Sequence, residues 1–126
     1  MTDPSPLAVN RPGVSDGFVG GVAYITPVPA IVLLLLPPYN KRSFVRFHAW
    51  QSVLLHAVFA IVLTVAAVGI APFMGKSDKV LYASFSVFIW VAWMLTWVLC
   101  SMKAMNGRKF KLPPLGNIAE KWAGLS

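Results

Sequence analysis

FVRFHAWQSVLLHAVFAIVLTVAAVGI, residues 44–70, decides the fold. After Arg46 it carries no charge, and its polar side chains crowd into the first half, with Thr64 the exception. The uncharged window runs from 47 to 75, between Arg46 and Lys76. A helix that crosses a bilayer needs roughly 20 apolar residues. Two more windows pass that test: 17–40, between Asp16 and Lys41, and 80–102, between Lys79 and Lys103. The chain therefore reads as an all-α integral membrane protein. Three transmembrane helices are expected, at about 17–36, 43–71 and 79–105, forming a membrane domain over 17–106.

Composition agrees. Of 126 residues, 57% are hydrophobic and 12% charged, where soluble domains carry about 25% charged residues. This excludes a disordered chain and a water-soluble globule, and the length allows one domain. Cys100 is the only cysteine, which excludes a disulfide framework and a cysteine-based zinc site. The net charge is +7. The basic residues lie between apolar blocks, so they suit lipid headgroups rather than nucleic acid.

Residues 1–16 are rich in Pro, Asp and Ser and read as a flexible polar tail. They lack the basic start and short apolar core of a secretory signal. Pro27 and Pro29 fall near the middle of the first window, so that span is expected to be kinked or broken. Continuous helix there would leave the carbonyls of Ala23 and Ile25 unpaired, and inside a bilayer neighbouring groups must satisfy them. Ser43 is a plausible N-cap for the second span, which Pro72 and Gly75 close. Asn106-Gly107 stops the third.

The remainder, 107–126, is basic and amphipathic. Leu115, Ile118, Trp122 and Leu125 recur at helical spacing, which predicts a short interfacial helix lying on the membrane. Arg108, Lys109 and Lys111 before it would meet anionic headgroups.

Three spans place the N-terminus and the second loop on one side, with Arg11, Lys76 and Lys79. The other side holds Lys41, Arg42, Arg46, Lys103, Arg108, Lys109, Lys111 and Lys121. The positive-inside rule puts this richer side in the cytoplasm and the N-terminus outside.

His48, Gln51, Ser52 and His56 share an arc of about 140° on one face of the second span, with Arg46 at its entrance. Polar residues in a span face protein or water rather than lipid. His56 lies ten residues past Arg46, and Pro27 ten residues from Pro37, so both sit at similar depth. The broken first span is therefore expected to pack against Ser52–His56, whose donors satisfy the freed carbonyls. The sharper alternative is a proton, ion or substrate path along this face. His48 and His56 are about 12 Å apart on a straight helix, too far for one metal ion. Trp90, Trp93 and Trp97 share a face of the third span and suit packing more than a ligand cage. No catalytic residue, metal site or cofactor site emerges: phosphate loops and nucleophile motifs are lacking, and four acidic residues all lie outside the predicted spans.

FVRFHAWQS at 44–52 resembles the signature of a family of small bacterial membrane proteins of unknown function. That family is related to the Tic-twenty component of the chloroplast inner-envelope import machinery, and MamF-type magnetosome proteins look like members. The resemblance extends to AYITPVPAIVLLLL at 23–36 and MKAMNGRKFKLPPLGNIAEK at 102–121. It implies a helical membrane protein of three or four spans in the bacterial inner membrane, with Phe47, His48, Ala49 and Gln51 as motif residues after Arg46. The expected function is a non-enzymatic accessory or organising subunit, a homo-oligomer or part of a larger membrane complex, in contact with lipid. The alternatives are a transport or protein-translocation component and a cofactor-binding subunit of an energy-converting complex.

Overall fold

The computed structural model describes residues 14–125, and the described residues form helices and connections without a strand. In chain order they are α1 (Val14–Val22), α2 (Pro27–Leu35), α3 (Ser43–Thr64), α4 (Asp78–Met105) and α5 (Leu115–Trp122). A 3₁₀ turn, Tyr39–Lys41, joins α2 to α3. Of the expected 1–16 tail, residues 1–13 lie outside the described residues, while Val14–Asp16 open α1. Ser43 is the first helical residue of α3 rather than its cap; Arg42 holds that position.

Among the described residues, two helices are long and apolar enough to cross a membrane. One is α3 together with its wider-wound extension Val65–Ile70 and a closing turn Ala71–Phe73, 31 residues in all; the other is α4, with 28. Pro72 ends the first, as expected. Gly107, at φ 69°, ends the second by adopting the left-handed conformation after Asn106.

The first apolar window does not make the third span predicted for it. It forms two helices of nine residues each, about 14 Å apiece against a hydrocarbon core of about 30 Å. They run in opposite directions along α3. At the start of α1, Asp16 forms an ion pair with Arg42, just before α3. At its end, Ala23 and Tyr24 reach Ser52 and Gln51, about 14 Å along α3. The chain then turns back. Ala30 packs with Ala49, and Leu34 and Leu35 end beside Arg46 and Trp50. The window is thus a hairpin that enters and leaves at the same end of the molecule. Its start lies beside Arg42, not on the side of the 74–77 connection as the three-span topology required.

The turn has a local cause. Thr26 is extended, at φ −150° and ψ 167°, as the residue before a proline prefers. Pro27 then opens α2, where its missing N–H costs no hydrogen bond. Glycine spacing fixes where α1 goes. A Cβ at Gly17 would stand 2.6 Å from the Met105 carbonyl oxygen, and one at Gly21 2.3 Å from Met105 Cγ. Only glycine lets the α1 backbone lie this close to the last turns of α4.

The C-terminal helix forms where the spacing placed it, but only part of its apolar set faces outward. The four large apolar residues were expected to face the membrane. Two of them, Leu115 and Leu125, pack inward, and α5 lays Ala119 and Ala123 onto the first turns of α3 while Gly116 packs against Lys111. Ala119 and Ala123 bury Phe47, and Trp122 meets Trp50 edge to face at 5.2 Å. Ile118 and Trp122 stay 38% and 53% exposed. Small residues permit close backbone approach, so protein packing captures this side of the helix together with Leu115 and Leu125, and leaves Ile118 and Trp122 outward. Lys111 of the headgroup trio pairs with Glu120, and Lys109 lies over the Phe47 ring.

Burial is one-sided. Among the described residues, α3 buries none beyond Leu55 and α4 none before Cys100. From there the two spans extend with apolar surfaces outward. Aromatic side chains rather than close backbones bridge them: Phe59 stacks on Trp93 at 4.5 Å and meets Trp90 edge to face at 4.8 Å. Trp97 stacks on Trp93 at 6.4 Å. The tryptophan stripe therefore packs between the spans, with Trp90 still 47% exposed.

Candidate functional site

The polar face of α3 is buried at the covered end. His48, Gln51 and Ser52 have no exposed surface. A buried polar group without a partner costs about 1–3 kcal/mol, so each demands one. The hairpin and the C-terminal segment provide them.

Ser52 Oγ donates to the Ala23 carbonyl at 2.6 Å. The Trp97 indole N–H donates to the Tyr24 carbonyl, and Ser101 Oγ to that of Gly21 at 3.4 Å. Side chains of both spans thus satisfy the Ala23 and Tyr24 carbonyls at the hairpin turn, and Ser101 adds a second bond to a Gly21 carbonyl that already accepts from the Tyr24 N–H. Of the donations expected from the Ser52 face, the one to Ala23 is met, and none to the Ile25 carbonyl is found among the described residues. The help from α4 was not foreseen.

Gln51 is the hub. Its Nε2 donates to Tyr24 Oη at 3.0 Å and to the Phe110 carbonyl at 2.9 Å, while its Oε1 accepts from the Leu112 N–H at 3.4 Å. Cys100 Sγ lies 3.8 Å from Nε2. One side chain therefore joins the hairpin, α3, α4 and the tail. The order of donation follows. Tyr24 accepts from Gln51 and so gives its own proton to His48 Nδ1, 3.1 Å away. Neutral His48 then carries its proton on Nε2, an atom that is buried without a hydrogen-bond partner among the described residues. Phe44, Phe47 and Tyr24 surround the ring.

His56 stands apart from this cluster. Its Nδ1 lies 2.8 Å from the Ser52 carbonyl, which makes it the donor, and its ring meets Trp93 edge to face at 5.6 Å. It is half-buried between α3 and α4. Arg46 turns the other way: its Nη2 donates to the Ala123 carbonyl, fastening the end of α5. The five residues expected to form one functional face therefore divide into three groups. His48, Gln51 and Ser52 clasp the hairpin, His56 joins the span interface, and Arg46 holds the tail.

Tyr24 is the member that the sequence reading missed. The available signal was a lone tyrosine three residues before a proline-broken turn. The backbone of Phe110–Leu112 carries no side-chain signal at all. No three His, Cys, Asp or Glu side chains among the described residues are grouped to hold a metal ion. The cluster is a hydrogen-bonded clasp of neutral groups, suited to holding segments together in an apolar setting.

Comparison with known proteins matches residues 13–119 to the model of the magnetosome magnetite crystal formation protein family, MamF/MmsF. A UPF0132 membrane protein of Methanocaldococcus jannaschii is 31% identical over 114 residues, covering 88% of this chain and 91% of the relative. Two UPF0132 membrane proteins of Archaeoglobus fulgidus are 30% and 32% identical, covering 88% and 87% of this chain and 98% and 93% of theirs. These relatives are archaeal, so the likeness reaches beyond the bacterial proteins with which the motif was associated. No solved structure matches.

Proposed function

The chain belongs to the MamF/MmsF family, and on that premise we propose that it is a non-enzymatic membrane protein that organises an assembly by lateral helix packing. The observation that carries this is the one-sided burial. The polar groups of α3 at the covered end are engaged inside the chain, on the hairpin and the tail. The far halves of both spans offer Val58, Ile61, Val65, Phe85, Phe88 and Val91, all exposed, to a neighbour or to lipid. A second copy or a partner's span would cover them without disturbing the clasp.

The family description speaks of magnetite crystal formation. Work on a mineral surface calls for grouped carboxylates, and this chain has four acidic residues in all. Asp16 and Glu120 are engaged in ion pairs. An organising role in the membrane fits these residues better than direct contact with mineral.

The hairpin also supports a proposal for the membrane orientation. Asp16, the 36–42 connection and the C-terminal segment share the end that carries Lys41, Arg42, Arg46, Lys103, Arg108, Lys109, Lys111 and Lys121. The opposite connection has Lys76 and Lys79. By the positive-inside rule this distribution favours the covered end in the cytoplasm, with the start of α1 inside.

The test is gentle detergent extraction of the tagged protein, native mass determination and identification of co-purifying chains. A defined homo-oligomer or a stoichiometric membrane partner is expected. A monomer carrying lipid alone, at the lowest detergent that keeps it soluble, overturns the proposal.

A further inference from the structure

Between α2 and α3 lies a groove of about 280 Å³, walled by Ile31, Leu34, Leu35, Trp50 and Val53, with Arg46 its one charged side chain. Pockets for whole drug-sized ligands run from about 300 to 1,000 Å³, so this one suits a segment of a chain. The walls are hydrocarbon and aromatic. Arg46 is half-buried, and only part of its donor set is used. Nη2 donates to the Ala123 carbonyl, while Nε is buried without a hydrogen-bond partner among the described residues. A half-buried guanidinium with spare donors beside apolar walls suits an anion. The described acidic residues do not supply one: Asp16 is paired with Arg42, Glu120 with Lys111, and Asp78 starts α4 at the far end.

We propose that this groove is a binding site for an anionic phospholipid, with part of one acyl chain against Ile31, Leu34 and Val53 and the phosphate on Arg46. Two features favour lipid over a free solute. The groove opens between helices whose outer residues Ile31, Val32 and Leu35 are exposed and apolar, as lipid-facing surface is. Arg46 also lies at the end where the basic residues gather, the level at which headgroup phosphates sit. The Ala123 carbonyl holds the guanidinium in place, so lipid and the docked end of α5 would stabilise each other through one side chain.

The experiment is native mass spectrometry of delipidated protein titrated with phosphatidylglycerol or phosphatidylcholine of the same chains. Retention of phosphatidylglycerol well above phosphatidylcholine is expected. Arg46→Gln should weaken phosphatidylglycerol by about tenfold and abolish the preference, while Arg46→Lys keeps much of it. Leu34→Trp, which fills the groove and leaves Arg46 and Ala123 untouched, should weaken both lipids. Equal retention of the two lipids by the unaltered protein overturns the site. So does Leu34→Trp binding at the original strength, a reading that stands even if Arg46→Gln fails to fold. Displacement of the lipid by millimolar inorganic phosphate alone would also overturn it, because the anion and not the amphiphile would then be recognised.

Discussion

Gln51 and Tyr24, 27 residues apart in the chain, meet in the buried centre of the covered end, where Gln51 Nε2 donates to Tyr24 Oη at 3.0 Å. The contact is the junction of two long-range docking events. Tyr24 closes the turn of the hairpin, and the same Gln51 side chain holds the backbone of Phe110 and Leu112. Loss of the amide should therefore be felt at both.

Gln51→Leu keeps the bulk and removes every one of those hydrogen bonds. It leaves the Phe110 carbonyl and the Leu112 N–H without the amide and takes from the Tyr24 hydroxyl the bond it accepts, though not its bond to His48, at a cost of about 2–4 kcal/mol. Unfolding in detergent should show the loss. Trypsin should also cut faster at Arg108, Lys109 and Lys111, since their segment is no longer tied to α3. Unchanged proteolysis would mean that Gln51 does not hold the tail.

Ser52→Ala removes the donor to the Ala23 carbonyl, and about 1–3 kcal/mol of stability should go with it. Thr64→Ala is the matched control. Its hydroxyl bonds the Ala60 carbonyl on the exposed surface of the same helix, and its loss should cost less than about 0.5 kcal/mol. Equal effects from the two would remove the special role given to Ser52.

Gly17→Val drives a side chain into the Met105 carbonyl. The clash separates α1 from α4 and should cost at least about 1–3 kcal/mol, as overpacking does. Gly69→Ala serves as the comparison, because a Cβ there meets only Val65 at 3.8 Å. Thermal scans of both in one detergent check the contrast.

The hairpin predicts sidedness. In a Cys100→Ala background, an N-terminal tag and a Lys121→Cys label should be reached from the same face of the membrane, and a Ser77→Cys label from the other. A third full span would instead put the N-terminal tag with Ser77. Impermeant maleimide and protease protection on sealed vesicles distinguish the two arrangements.

Much of this fold is legible without coordinates, because its evidence is local. The lack of charge over 47–75 and 80–102 is enough to mark α3 and α4, since backbone and side chains in a bilayer must both be satisfied within such a stretch. Pro27 and Pro29 announce the break in the first window for an equally local reason. The 100° repeat collects His48, Gln51 and Ser52 on one face. A polar face on an apolar helix must be covered, and that predicted the bond from Ser52 to Ala23.

Tertiary structure alone decided which way the chain leaves the break and which side of α5 it buries. A window of 24 uncharged residues is compatible with one bent span or two half-helices. The choice rests on contacts between distant residues: Asp16 with Arg42, Gly17 and Gly21 against Met105, and Tyr24 with Gln51. The same holds for α5, where the apolar spacing marked a face for the membrane, and only close packing on Phe47 shows that Ala119 and Ala123 are the residues buried against protein. Periodicity and charge state what a segment can bury, and the shape of its neighbours determines what it does bury.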